Sequence, residues 1–201
     1  MGTGDVFVIS APSGSGKTTI CRRLLEQVEG LELSISYTTR PEKPGETHGQ
    51  DYYFTDDEKF DKMVKEKEFL EHAVVYGNRY GTSREVVRSI VSRGSDAVLE
   101  IDVQGGRKVK ESLPETVLVG IFPPDWATLE RRLSERGRDS RKEMETRLEA
   151  AGREMKELLS YDYLVINDDL VKAVKRVEWI VRAHRLRRDR VRGRMEKILS
   201  R

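Results

Sequence analysis

A mixed α/β fold, with a mainly parallel sheet flanked by helices, is predicted by three features of the 201-residue sequence. Apolar runs that read as buried strands alternate with segments of helical periodicity. The first such run passes through a glycine-rich turn straight into a helical pattern. The alternation then breaks between residues 36 and 94, where proline, glycine and aromatic residues crowd together. Residues 1–35 and 95–201 therefore read as the core, and 36–94 as a small mixed α+β insert grafted on its sheet.

The elements follow in order. Val6, Phe7, Val8 and Ile9 form a continuous apolar run, as a strand buried on both faces of a parallel sheet requires. After the turn, Ile20, Leu24, Leu25 and Val28 recur at helical spacing. The insert holds Pro41, Pro44, Gly45, Gly49, the runs "DYYF" and "EFLEHAVVYGNRYGT", and two short helical patches. Short antiparallel strands suit that composition. Apolar runs resume as "AVLEID" (97–102), "TVLVGIF" (116–122) and "YLVIN" (163–167). Between them, helical patterns start at Asp125 ("DWATLERRLSERG") and at Ser140 ("SRKEMETRLEAAGREMKELLSYD"). Right-handed crossovers join such strands into one sheet.

The turn itself reads "SAPSGSGKTT", Ser10 to Thr19. It nearly spells the phosphate-cradling loop G-x-x-x-x-G-K-[ST], with Ala11 at the first glycine position. An ordinary turn before a helix is the competing reading. Strand, glycine-rich turn and helix in that order is the context the motif needs, because N–H groups at a helix start bind phosphate oxygens. Gly14 and Gly16 let the backbone curl round a phosphate, and Lys17 can reach the β- and γ-phosphates of a nucleotide. The Thr18 hydroxyl can ligate a magnesium ion. Ala11, Pro12, Ser13, Gly14, Ser15, Gly16, Lys17, Thr18 and Thr19 are thus the predicted nucleotide-binding loop of a P-loop core. Glu100 and Asp102 follow a strand, and alternation puts both on one face, where a carboxylate can organise magnesium through its waters.

Composition removes other classes. Hydrophobic residues make up 37% and charged ones 36%, which predicts a soluble, highly charged globular protein. No apolar run approaches the roughly 20 residues of a membrane span. Asp5 interrupts the apolar stretch near the N-terminus, so no secretory signal pattern forms. The single cysteine, Cys21, excludes an intramolecular disulfide, predicts a packed thiol and fits the cytoplasm. From Asp169 onward twelve Lys and Arg face four Asp and Glu, a balance of +8 that leaves −6 on the preceding residues of a +2 chain. Such a basic helix either binds nucleic acid or is a solvated face packing through Leu170, Val174, Val177, Val181 and Leu186. No aromatic interleaves the arginines after Trp179, which favours packing and no nucleic-acid partner.

The loop, followed by "SYTTRPEKPGETHGQDYYF", "EFLEHAVVYGNRYGT", "LEIDVQGG", "LERRLSERG" and "INDD", resembles the guanylate kinase family over nearly the whole chain. The resemblance implies a GMP-binding insert, an arginine-rich lid at about 125–158, and magnesium-dependent transfer of the ATP γ-phosphoryl group to GMP, giving ADP and GDP. It implies dGMP as a further acceptor. By the same resemblance Arg40, Lys43, Tyr52 and Tyr80 hold the acceptor's phosphate, and Glu71 accepts the N1–H and N2 amino donors of guanine. Ser36 and Thr82 address the O6/N7 edge, and Asp102 joins the GMP set. Adenine offers a lone pair at N1 instead, so a carboxylate there repels it. Arg132, Asn167 and Asp168 fall on the ATP side. Lys43 stands where the family usually has arginine; it keeps the charge and loses the planar fork.

Such a reaction needs cations and alignment. A phosphate monoester has a second pKa of about 6, so the acceptor is largely a dianion already and no general base is required. Lys17 and magnesium neutralise the donor phosphates, while Arg136 and Arg147, on the helices flanking "GRDS", neutralise the transferring group. Ordinary i, i+4 pairing with glutamates is the alternative for those arginines. A peptide-binding scaffold domain of this type typically lacks the Lys17–Thr18 pair. A ribose-bisphosphate kinase of the same superfamily has no use for Glu71 with Ser36 and Thr82.

Overall fold

The computed structural model describes residues 4–75, 77–135 and 141–200. In chain order its first half holds β1 (Val6–Ser10), α1 (Lys17–Gln27), β2 (Leu31–Leu33), β3 (Tyr37–Thr38), β4 (Tyr53–Phe54), α2 (Asp57–Lys65), β5 (Phe69–Val75), β6 (Asn78–Ser83) and α3 (Arg84–Ser92). The second half holds β7 (Asp96–Glu100), α4 (Val103–Ser112), β8 (Val117–Phe122), α5 (Trp126–Ser134), α6 (Arg141–Leu158), β9 (Tyr163–Ile166), α7 (Leu170–Arg185) and α8 (Arg188–Leu199).

The main sheet is parallel throughout, in the order β2-β7-β1-β8-β9. β1 lies at its centre, with Val8 opposite Leu99 on one side and Leu118 on the other. Alternation then divides its apolar run between two layers. Phe7 and Ile9 face α1 and α7, packing among Ile20, Leu24, Val174 and Val177. Val8 faces the opposite layer with Leu99, Leu118, Val87, Val109 and Leu158. Both faces are covered by helices, which is why the run is apolar at every position.

A second sheet has the order β4-β3-β6-β5. Two of its pairs are antiparallel, as the sequence predicts, and β3 with β4 adds a parallel pair. Phe60 and Met63 of α2 cover it with Phe69 in a small core of their own. Two elements of the main body carried no sequence signal. β2 is three residues long, and α4 contains Gly105 and Gly106, which dilute its apolar stripe.

The basic C-terminal segment is two helices rather than one. Val174, Val177 and Val181 are buried, and Leu170 packs at the core's edge, as expected of a packing face. Leu186 does not join them: it is 76% exposed, because it falls five residues after Val181, on the opposite side of the helix, where α7 ends. Arg185 and Arg190 instead converge on Asp96, at 2.7 and 3.2 Å. That carboxylate is 1% exposed and also accepts the Asp5 backbone N–H at 2.7 Å. A buried carboxylate is tolerated when cations and N–H donors surround it in this way. Cys21 is a free, buried thiol on α1, and burial pushes its pKa up.

His184, near the end of α7, is buried beside Phe7, with its Nε2 3.1 Å from the Tyr163 hydroxyl. Burial, reinforced by the charge of Arg187, holds the imidazole pKa below its ordinary 6.5. As pH falls the unfolded chain therefore takes up this proton first, and stability is lost from the ordinary value downward. We expect the urea midpoint to drop between about pH 7.5 and about pH 5.5, and His184→Gln to remove much of that drop. Urea titrations of both proteins at the two pH values check this; an equal drop in the variant would assign the slope to other groups.

Candidate active site

The P-loop leaves the carboxyl end of β1 and enters α1 at Gly16. Gly14 and Gly16 hold φ values of 86° and 87°, the left-handed region where a Cβ is strained. Space is closed there as well. A Cβ on Gly16 would stand 2.6 Å from Asn167 Nδ2, and one on Gly14 would stand 3.1 Å from Leu133 Cδ2. Asn167 Nδ2 donates to the buried Ser15 carbonyl at 2.8 Å, so the end of β9 braces the loop. Ala11 places its methyl in the main core, which explains why an alanine serves at that position. α1 has no side-chain cap and no acidic residue in its first turn, leaving its N-terminal N–H groups to an incoming anion.

The end of β7 holds two side chains of the loop, Lys17 and Thr18. Lys17 Nζ donates to the Ile101 carbonyl at 2.9 Å, and the Thr18 hydroxyl donates to Glu100 Oε1. Glu100 and Asp102 both line the cleft, but not as alternate residues of one strand. β7 stops at Glu100, and Asp102 arrives as the N-cap of α4, accepting the Gly105 N–H at 2.7 Å. Ser10 Oγ donates to the Asp102 carbonyl and accepts from the Tyr161 hydroxyl at 3.0 Å. Gly106 makes room for that phenol, since a Cβ there would stand 2.1 Å from its oxygen.

A cavity of about 260 Å³ adjoins the loop, and Ser36, Tyr52, Glu71, Tyr80 and Asp102 line it together with Lys17 and Glu100. Glu71 is 7% exposed and lies opposite Thr82 across β5 and β6. Thr82 Oγ1 donates to Glu71 Oε1 at 2.7 Å, so that hydroxyl faces the carboxylate from behind rather than the cavity. Burial raises the Glu71 pKa, the Thr82 hydroxyl lowers it, and the Asp102 charge raises it again. Arg40 makes a two-pronged contact with Glu46 at 2.7 and 2.9 Å, and its guanidinium lies 5.3 Å from the Tyr52 ring centre. Lys43 is exposed and is tied to the same Glu46 through its backbone, its N–H donating to the carboxylate at 2.9 Å and its carbonyl accepting the Glu46 N–H at 3.0 Å.

On the opposite flank Arg132 Nη2 donates to the Asn167 carbonyl at 3.4 Å, while its Nη1 is buried without a hydrogen-bond partner. Asp168 is turned away, paired with Arg176 at 2.8 Å. Arg147 lies on α6, and Arg136 lies outside the described residues. Sequence reasoning missed Tyr161, Glu46 and Glu154, the last of which lines the P-loop groove from α6. Each is an unremarkable residue in its own segment and acquires a partner only through the fold.

The guanylate kinase family model matches residues 3–184. A guanylate kinase of Neisseria meningitidis serogroup A is 45% identical over 190 residues, covering 94% of this chain and 93% of that protein. One of Methylococcus capsulatus is 44% identical over 200 residues, covering 100% of this chain and 98% of that protein. The crystal structure of guanylate kinase from Anaplasma phagocytophilum superposes with a TM-score of 0.76 at 34% identity, over 92% of this chain and 88% of that one. The chain belongs to the guanylate kinase family.

In this guanylate kinase fold the Asn167 brace has a measurable consequence. Without it the buried Ser15 carbonyl loses its donor, a loss of about 1–3 kcal/mol that falls on the loop's geometry. Asn167→Ala should weaken ATP binding about tenfold, roughly 1.4 kcal/mol. Calorimetric titration checks it, and unchanged affinity would show that the loop holds its shape unaided.

Proposed function

We propose that this chain transfers the γ-phosphoryl group of ATP to GMP, giving ADP and GDP, as the guanylate kinase family does. One observation carries the reading: Glu71 and Lys17 stand in the wall of a single cavity. A buried carboxylate suited to guanine's paired donors thus shares a chamber with the lysine of the phosphate loop. Segment 36–94 is the GMP-binding part, and 1–35 with 95–201 the ATP-binding part, on this reading.

The residues divide the work as follows. Glu71, oriented by Thr82, accepts the N1–H and N2 amino groups of guanine, and Ser36 addresses its O6/N7 edge. Arg40, Tyr52 and Tyr80 hold the acceptor's phosphate, with Lys43 tethered nearby through Glu46. The uncapped N–H groups at the start of α1 take the donor phosphates, and Lys17 neutralises their charge. Arg132, with an unpartnered buried Nη1, faces the ATP side. Arg147, together with Arg136 outside the described residues, supplies positive charge to the transferring group. With a dianionic acceptor the chain needs no general base.

The donor set also fits magnesium. Among the described residues no group of three or more His, Cys, Asp or Glu could cage a metal ion. The Thr18 hydroxyl and Glu100 carboxylate are hard oxygen donors beside the loop, and Mg²⁺ characteristically takes one or two such protein oxygens while keeping several waters. Once bound it would neutralise the donor phosphates as a Lewis acid. Glu100 accepts the Thr18 hydroxyl proton, which leaves that oxygen's lone pairs for the ion, and Glu100 and Asp102 would hold it through water.

Small nucleotides are the only partners in this reading, dGMP among them. Arg176, Arg182, Arg185, Arg190 and Arg192 each pair with an acid of the chain, which supports a structural role for the basic segment over nucleic-acid binding. Among the described residues no helix is long and apolar enough to cross a membrane. The free buried Cys21 supports the cytoplasm as its location. Release of ADP in a coupled assay, with GMP, dGMP, AMP and ribose bisphosphate offered separately, tests the whole reading; we expect turnover with the guanine nucleotides, and turnover with AMP alone would refute it.

Glu71 allows a sharper test. Glu71→Gln presents one oxygen and one amino group to two guanine donors, so one contact becomes a donor–donor clash. We expect kcat/KM for GMP to fall at least about 100-fold, roughly 2.7 kcal/mol at 1.36 kcal/mol per decade. Activity with AMP relative to GMP should rise, because an amide can donate to adenine N1 and accept from its amino group. Steady-state kinetics with both acceptors, on folded protein, measure this; wild-type GMP kinetics would mean that Glu71 does not read the base.

A further inference from the structure

Tyr161, between α6 and β9, is a buried phenol to which the roles above give no part. Its ring packs among Val8, Leu118 and Leu158, and its hydroxyl reaches the start of α4. The single phenolic proton is shared between Ser10 Oγ at 3.0 Å and the Val103 carbonyl at 3.2 Å. Ser10, itself fully buried, donates in turn to the Asp102 carbonyl at 3.1 Å. Burial pushes the Tyr161 pKa up to about 12, so the hydroxyl stays a donor near neutral pH. One side chain thus holds two successive carbonyls, one directly and one through Ser10. In a buried chain of this kind each hydrogen bond strengthens the next.

Asp102 stands at the far end of that chain. It caps α4 in an extended conformation, with φ −75° and ψ 174°. The direction of its carbonyl fixes ψ, so whatever holds that oxygen also sets where the side chain stands. Asp102 lines the cavity that Glu71, Tyr80 and Lys17 share. We propose that Tyr161 is a positioning residue for the acceptor: through Ser10 and the Val103 carbonyl it fixes the first turn of α4, and so the place of the Asp102 carboxylate in that cavity. The proposal rests on the phosphotransferase reading above, with Asp102 in the GMP set. A rival account makes the hydroxyl a stabilising contact of the core alone. The two differ in what they move. Loss of a merely stabilising contact lowers the urea midpoint and leaves both Michaelis constants unchanged, whereas loss of a positioning contact raises the KM for GMP.

Steady-state kinetics on a double-mutant cycle separate them. Tyr161→Phe keeps the ring and removes the hydroxyl, and should raise the KM for GMP roughly 5- to 10-fold while leaving the KM for ATP within about twofold. Ser10→Ala breaks the chain at its middle link, should raise the same constant, and stands in for Tyr161→Phe should that variant not fold. Asp102→Asn keeps the helix cap and removes the charge. It should raise the KM for GMP by itself, and Tyr161→Phe added to it should cost less than about a further twofold. Additive losses, equal rises in both Michaelis constants, or wild-type constants in Tyr161→Phe would each overturn the positioning role and leave the phosphotransferase reading standing. A wild-type KM for GMP in Asp102→Asn would overturn the place given to Asp102, and this proposal with it. Wild-type protein inactive with GMP would refute the reading itself and the proposal together.

Discussion

The first turn of α1 must keep its backbone N–H groups free of the chain's own side chains. Five other helices do the opposite: Asp56, Ser83, Asp102, Asp125 and Asp169 each cap a helix start with a side-chain oxygen. A cap of that kind on α1 would fill the place of a phosphate. The loop before α1 is therefore shaped from outside, by groups that touch its carbonyls and its glycines. Asn167 takes the Ser15 carbonyl, Leu129 and Leu133 cover Gly14, and the Ala11 methyl anchors the entry in the core. Positive φ at Gly14 and Gly16 follows from this arrangement, and so does the tight clearance around both residues.

Charge is distributed to match. Glu71, Glu100, Asp102 and Glu154 surround the clefts in which two anionic nucleotides would sit, with Lys17 as the cation in the wall of both. Four carboxylates beside an anion site are unfavourable unless each already has a donor. Three have one: Thr82 for Glu71, Thr18 for Glu100 and the Gly105 N–H for Asp102, while Glu154 feels the opposite charge of Lys17. The surplus of cations in the last 33 residues lies elsewhere, with Arg185 and Arg190 fastening the C-terminal helices to Asp96. Net charge by segment thus says little about the site, because pairing decides which charges remain available.

What the sequence discloses and conceals follows from the range of each interaction. The P-loop is legible because its working parts are contiguous, and the central strands because burial on both faces leaves continuous apolar runs. β2 is too short for any periodicity, and the glycines that weaken the α4 pattern are there for Glu71 and Tyr161, which come from distant segments. Asn167 reaches Ser15 across 152 positions, and Tyr161 reaches Ser10 across 151, so neither contact leaves a local trace. Leu186, five residues after Val181, falls on the opposite side of α7 from the apolar stripe, and the helix ends there as well. The insert residues are legible in another way. Nothing in the local surroundings of Glu71 or Tyr80 marks them, and the resemblance to guanylate kinases is what singled them out.

The segment from Glu100 to Gly106 joins the phosphate loop to the cavity that Glu71 lines. Glu100 holds Thr18, the Ile101 carbonyl holds Lys17, and the Asp102 carbonyl takes Ser10 from the end of β1. Three residues on, Gly105 leaves clearance for Glu71, since a Cβ there would stand 3.0 Å from Oε2. Gly106 does the same for Tyr161. One short stretch of backbone therefore contacts the phosphate loop with its first half and makes room for the insert's carboxylate with its second. In-line transfer depends on the separation of donor and acceptor, and on the proposed reading that separation would be set by a β-strand end and the capped first turn of a helix. On that reading, Glu71 on β5 would bring the base-reading carboxylate, and the end of β7 with the start of α4 would fix where it must arrive.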